Sequence, residues 1–216
     1  MSPRPNPQIP QPANGSCRHP EVNLFIPTIE NFDGSGHAAD RIRGMKAGGV
    51  KIPQIVHMIA FREERNEHLM RFTQEVLRGP SPLPVCTREL IATFTSAQNR
   101  CAFCMKSHAE ATAELDGDRT RVDAAVRGLE SLEITSKDRA LLTYVAKLTR
   151  SLDCVCQEDV DAVRQAGWTD EEIYEAITIC ALFNFFNRWV NGSGVEDMSA
   201  EEYVMSGKRL AERGYA

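Results

Sequence analysis

The stretch TRELIATFTSAQNRCAFCMKSH, residues 87–108, holds two helical runs with a break between them. In residues 87–98 the apolar Leu90, Ile91, Phe94 and Ala97 recur at three- and four-residue spacing, the period of one helix face. A second helix is predicted over 101–115, stopping at Gly117. The few residues between them, 98–100, decide what the stretch can do. On one straight helix Glu89 and Cys101, twelve positions apart, would be separated by about 18 Å at 1.5 Å per residue. If the chain folds back at 98–100, the helices run side by side and Glu89 lands near His108.

Working outward, the same helical period continues on both sides. Before the stretch, residues 55–76 carry Ile55, Met58, Ile59, Leu69, Phe72 and Val76, and the Pro-rich 79–84 breaks the chain. A short helix is plausible over 37–46. After the stretch come short helices at 121–129 and 158–165 and an amphipathic one at 136–148. Thr169 with Glu172 three residues on has the form of a capping box and opens a long apolar helix to about Val190. No segment alternates as a strand would, so the fold class is all-α, a compact helical bundle. A shift of 83 positions sets Glu89 on Glu172, Cys101 and Cys104 on Asn184 and Asn187, and His108 on Asn191. This is either a weak internal repeat or a coincidence between two amphipathic helices.

Seven of the eleven prolines precede residue 28. Residues 1–36 therefore read as a Pro-rich N-terminal arm, and 37–216 as one helical domain. The apolar run Leu24, Phe25, Ile26 can pin the arm to the body. The 216 residues are 42% hydrophobic, enough for a real core, and the formal net charge of −5 argues against nucleic acid as a partner. No apolar run approaches the length of a membrane span or a signal peptide, so the expected compartment is the cytoplasm.

The chemistry-bearing residues converge on the quoted stretch. Of seven cysteines, an odd number at irregular spacing, Cys101 and Cys104 form a Cys-x-x-Cys pair at a predicted helix start. Free N–H groups and the helix dipole favour a thiolate there, and one helical turn brings the two sulfurs within reach of a disulfide. His108 is four residues beyond Cys104, on the same face, roughly 5–6 Å away between Cβ atoms. It can take a proton from a thiol or give one to a leaving group, with Glu89 orienting the imidazole if the chain folds back. Cys154 and Cys156 could complete a four-cysteine zinc set with this pair, but Cys-x-Cys is a poor zinc spacing, so neither a metal nor a cofactor is expected. Cys17, Cys86 and Cys180 read as incidental. Tyr144 and Trp189 read as core or interface aromatics, and Glu172 as a cap. His57 and His68 read as solvated or capping, and the charged run 62–67 as a solvated helix face.

The spacing Glu-x(11)-Cys-x-x-Cys-x-x-x-His in an all-helical chain resembles the AhpD-like alkylhydroperoxidases of the carboxymuconolactone decarboxylase superfamily. Residues 79–84 and 184–188 are similar to its peroxidase-related branch, and the resemblance runs over about 51–195. It implies a thiol-dependent cycle. Cys104 attacks a hydroperoxide and becomes a sulfenic acid, Cys101 resolves it to a disulfide, and an external dithiol or thioredoxin-like reductant restores the pair. Glu89 and His108 serve as the proton relay, and the protein forms a homo-oligomer, a trimer or hexamer. Where some members carry a second histidine, this chain has Phe103. The superfamily also includes a lactone decarboxylase working by acid–base chemistry, for which Glu89 and His108 would suffice. A non-enzymatic redox sensor is the third possibility.

Overall fold

Arg100 turns the chain. Its φ of 55° is the one positive value at a non-glycine among the described residues. The turn is closed by backbone bonds from Asn99 to Thr95, Arg100 to Ala97 and Cys101 to Ser96, at 2.9–3.0 Å. The chain therefore does fold back, with the helices Val85–Gln98 and Ala102–Asp116 side by side.

The computed structural model describes residues 24–32, 34–49 and 51–215. In chain order its helices are α1 (Pro27–Glu30), α2 (His37–Ala47), α3 (Gln54–Phe61), α4 (Glu63–Arg78), α5 (Val85–Gln98), α6 (Ala102–Asp116), α7 (Thr120–Arg127), α8 (Ser136–Arg150), α9 (Gln157–Gln165), α10 (Asp170–Ser193) and α11 (Ala200–Arg213). The described residues contain no strand, so the all-α reading holds. No helix among them is long and apolar enough to cross a membrane. The greater part of the Pro-rich arm, with Cys17, lies outside the described residues.

The helix α5 is the axis of the bundle. Every residue from 87 to 96 is buried, the condition of a helix enclosed on all sides. It packs against α6, α10, α8 and α7, and α11 covers the far side of α6. Large apolar groups fill the space between, among them Leu90, Ile91, Phe94, Leu141, Leu142, Ile179 and Phe183. Thr169 and Glu172 form the expected capping box at the start of α10.

Several expectations are corrected. Residues 55–76 are not one helix: the chain breaks at Arg62, where α3 ends and α4 begins. The cause is Asn66, whose buried amide donates to the carbonyls of Met58 and Ile59 at 3.0 and 2.9 Å and so caps α3. Asn66 therefore departs from the solvated face assigned to 62–67. His57 is buried, not solvated, and burial together with Lys46 lowers its pKa; His68 is exposed. The segments related by the 83-residue shift share polarity but differ in path, since the first breaks at 99–101 and the second runs unbroken through α10. Of the run from Leu24 to Ile26, Leu24 is buried, against the cluster of Ile29 and Met58, while Phe25 and Ile26 are exposed.

The helix α11 was not anticipated. It opens with a further capping box, Ser199 and Glu202, and closes on α6 through Gly207. A Cβ at Gly207 would lie 2.3 Å from Cβ of Glu110 and 2.7 Å from its carbonyl carbon. Neither neighbour is the free end of a flexible side chain, so α11 must move to admit even a methyl group. Gly207→Ala should therefore destabilise the protein by about 1–3 kcal/mol, the usual cost of overpacking, despite alanine's better helix propensity. Urea denaturation of the two proteins checks this; a stabilised variant would mean that the helices separate at no cost.

Candidate functional site

The fold-back brings Glu89 to His108. His108 Nδ1 lies 2.7 Å from Glu89 Oε2. Glu89 is completely buried, where an unpaired carboxylate would be costly. Its second oxygen is held by Arg78 Nη2 at 2.6 Å and by the Tyr215 hydroxyl at 2.6 Å. Burial pushes the Glu89 pKa up, but His108, Arg78 and Tyr215 outweigh it and hold the group below its ordinary value. Burial and the Glu89 carboxylate push the Tyr215 phenol well above its usual range, so it stays protonated and donates.

Arg78 and Tyr215 were not foreseen. Arg78 ends α4 and Tyr215 follows α11, so neither shares a sequence period with Glu89. A buried acid on α5 was the one available signal that a cation must be near. Arg78 also donates to the carbonyls of Leu77 and Leu210, both at 2.9 Å, and lies over the Tyr215 ring, 5.1 Å from its centroid. Phe183 of α10 meets the His108 ring edge-on at 4.5 Å.

The cysteine pair sits one turn away, reduced and buried. Cys101 is the N-cap residue of α6, and Cys104 lies in its first turn. Phe103, Val190 and Tyr203 enclose them, with Ile55, Val195 and Met198 at the edge. The Cys104 thiol donates to Cys101 and lowers its pKa; burial opposes this, and the Cys104 N–H and Asn187 reinforce it. The same shared proton and burial raise the Cys104 thiol well above its ordinary value. Asn187 also escaped the sequence reading as a site residue. Its amide donates to Ser96 Oγ at 2.9 Å and accepts from Asn99 at 2.9 Å, which fixes it against the turn that carries Cys101.

One expected link is not made: His108 forms no hydrogen bond to either sulfur. Its Nδ1 is engaged with Glu89 and faces the Tyr215 oxygen at 3.1 Å. Proton exchange with the sulfurs needs a bridging water or a side-chain rotation. Cys154 and Cys156 are exposed, unlike the buried pair, and among the described residues no three His, Cys, Asp or Glu side chains cluster as a metal site would require. Cys86, Cys180 and Tyr144 play no part in this arrangement; Cys180 and Tyr144 belong to the apolar core.

The Glu89 arrangement makes stability depend on pH. Its folded pKa lies below the ordinary 4.5, so its contribution is complete above that value and is lost as pH falls through the folded one. Chemical denaturation between about pH 7 and about pH 3 should show stability falling in acid, with a shallower fall in Glu89→Gln. Equal slopes in the two proteins would mean that this carboxylate is not the group responsible.

Comparison with known proteins places this geometry in context. The sequence matches the carboxymuconolactone decarboxylase family over residues 65–147. No curated protein matches it in sequence. Among solved structures, an uncharacterized peroxidase-related protein from Silicibacter sp. TM1040 is similar at 23% identity, with a TM-score of 0.67 over 79% of this chain and 90% of that one. An AhpD-core peroxidase-related protein from Ralstonia eutropha JMP134 gives 23% identity and a TM-score of 0.67 over 79% and 89%. A cysteine-to-alanine variant of the debrominase Bmp8, in complex with 2,3,4-tribromopyrrole, gives 19% and 0.62 over 76% and 86%. At these identities the structural likeness is one of fold. The residues that match the carboxymuconolactone decarboxylase family run from α4 into α8 and contain Arg78, Glu89, Cys101, Cys104 and His108, and the fold around them is similar to that of the AhpD-like peroxidase-related structures.

Proposed function

We propose that the protein is a thiol-dependent peroxidase and disulfide oxidoreductase acting through Cys101 and Cys104, with His108 and Glu89 as its proton relay. The observation that carries this reading is the free, buried Cys101 and Cys104 pair at the start of α6, on the helix whose His108 is held by the buried carboxylate of Glu89. A thiolate in this position is the nucleophile that hydroperoxide reduction needs.

The steps balance as follows. A thiolate sulfur attacks the distal oxygen of ROOH, the O–O bond breaks, and the sulfur becomes a sulfenic acid. The leaving alkoxide takes a proton and departs as ROH. The partner thiol then attacks the sulfenic sulfur, forming a disulfide and releasing water. An external dithiol supplies the two electrons that reopen the disulfide by thiol exchange. The order implied by the family resemblance makes Cys104 the attacking sulfur and Cys101 the resolving thiol. We further propose a hydroperoxide substrate, a thioredoxin-like or small dithiol reductant, and a homo-oligomeric protein.

The missing bond between His108 and sulfur favours a second reading. Glu89 and His108 already form a complete acid–base unit without the cysteines, as a decarboxylase-like reaction on a lactone acid would use.

Stoichiometric hydrogen peroxide or cumene hydroperoxide added to the reduced protein, followed by intact mass and thiol titration, separates these readings. Wild type should lose both thiols of the pair, and Cys101→Ser should stop at a sulfenate on Cys104. A sulfenate found only in Cys104→Ser would reverse the order of the two sulfurs. No oxidation of either sulfur would sink the peroxidase reading, and lactone decarboxylation surviving in the double-serine variant would establish the second.

A further inference from the structure

We propose that Tyr215, backed by Arg78, is a positioning residue for His108: acting through Glu89, it fixes the imidazole proton on Nδ1 and leaves Nε2 as the basic nitrogen. The inference deepens the reading above, in which His108 is the proton relay, and takes its catalytic meaning from it.

The assignment follows from counting donors. An ionised carboxylate only accepts hydrogen bonds. Glu89 Oε2 is 2.7 Å from His108 Nδ1, so that nitrogen carries hydrogen. Glu89 Oε1 receives the Tyr215 hydroxyl and Arg78 Nη2, each at 2.6 Å. With its proton committed to Oε1, the phenol oxygen turns only lone pairs toward His108 Nδ1, 3.1 Å away. Two acceptors thus face one nitrogen, and the tautomer is specified twice. Histidines used as bases or ligands are commonly oriented by the partner of the other ring nitrogen; here that partner is itself held by a third and a fourth side chain.

Tyr215 is fixed for this role. Its ring lies nearly parallel to the imidazole, 13° between planes and 5.9 Å between centroids. Its backbone N–H donates to Gln74 Oε1 at 2.7 Å. The preceding Gly214 has φ 69°, and a Cβ there would stand 2.3 Å from the same Gln74 oxygen. The groups that face His108 are Glu89 from α5, with Arg78 of α4 behind it, Tyr215 from the segment after α11, the apolar Phe183 from α10, and Cys104 one turn back on its own helix. Arg209 of α11 also acts on Tyr215, as a neighbouring positive charge.

Tyr215→Phe keeps the ring and deletes only the hydroxyl. The substitution removes one of the two acceptors that face Nδ1 and the donor that holds Glu89 Oε1. Nitrogen NMR of the full chain, labelled at histidine, should show the Nδ1–H tautomer of His108 in wild type and a measurable Nε2–H population in Tyr215→Phe. A hydroxyl that merely supports the fold would leave the tautomer unchanged. An Nε2–H tautomer in wild type, or the same tautomer populations in the two proteins, would overturn the proposal. The NMR readout does not depend on peroxide. If wild type keeps its thiols under peroxide while the tautomer still responds to the substitution, the peroxidase reading fails and the positioning role stands.

Discussion

A carboxylate with no exposed surface is the constraint around which the bundle is arranged. Taking Glu89 out of water is costly by several kcal/mol even after relaxation, and the interior recovers this only by aiming donors at both oxygens. Arg78 comes from the end of α4, His108 from α6 and Tyr215 from beyond α11. Each helix end must therefore be placed to within a few tenths of an ångström. The close approach of α11 to α6 at Gly207 serves the same end, since it is α11 that delivers Tyr215. Fold and site are here one problem in charge compensation.

The cysteine pair solves a different problem with the same hairpin. Its environment is mainly apolar, which disfavours any thiolate. What offsets that is local: the first turn of α6, the proton held between the sulfurs, and Asn187 braced by Ser96 and Asn99. The pair thus lies beside the Glu89–His108 unit without a hydrogen bond to it.

How much of this was legible follows from sequence distance. The pattern of Leu90, Ile91 and Phe94 gives α5, and the Cys-x-x-Cys-x-x-x-His spacing gives the face of α6 that carries both sulfurs and the imidazole, because both are local periodicities. The fold-back at Arg100 was legible only as an alternative, since arginine is a poor marker for a positive φ. Tyr215 and Arg78 were out of reach: Tyr215 lies 126 residues from its partner Glu89, and nothing local distinguishes it from any tyrosine near a helix end. The α11 helix carried a readable signal in Ser199 and Glu202, but its packing depends on what Gly207 lacks rather than on an apolar stripe. The Asn66 cap failed for the opposite reason, because a polar residue within a charged run reads as surface until its buried carbonyl partners are seen.

Burial of both sulfurs limits what the proposed chemistry can admit. Cys101 has no exposed surface and Cys104 almost none, beneath Phe103, Val190 and Tyr203. A hydroperoxide needs room for two oxygens along the line of attack. Reopening the disulfide needs a second thiolate to approach one sulfur in line with the other, which is bulkier and brings the rest of the reductant with it. The reductive half of the cycle therefore demands the larger opening. Tyr203 is the side chain best placed to govern it. Its hydroxyl is bonded to Asp197 at 2.8 Å, and Asp197 is in turn paired with Lys106 at 2.6 Å. That clasp ties the start of α11 to α6, so the helix that brings Tyr215 to the carboxylate also covers the sulfurs.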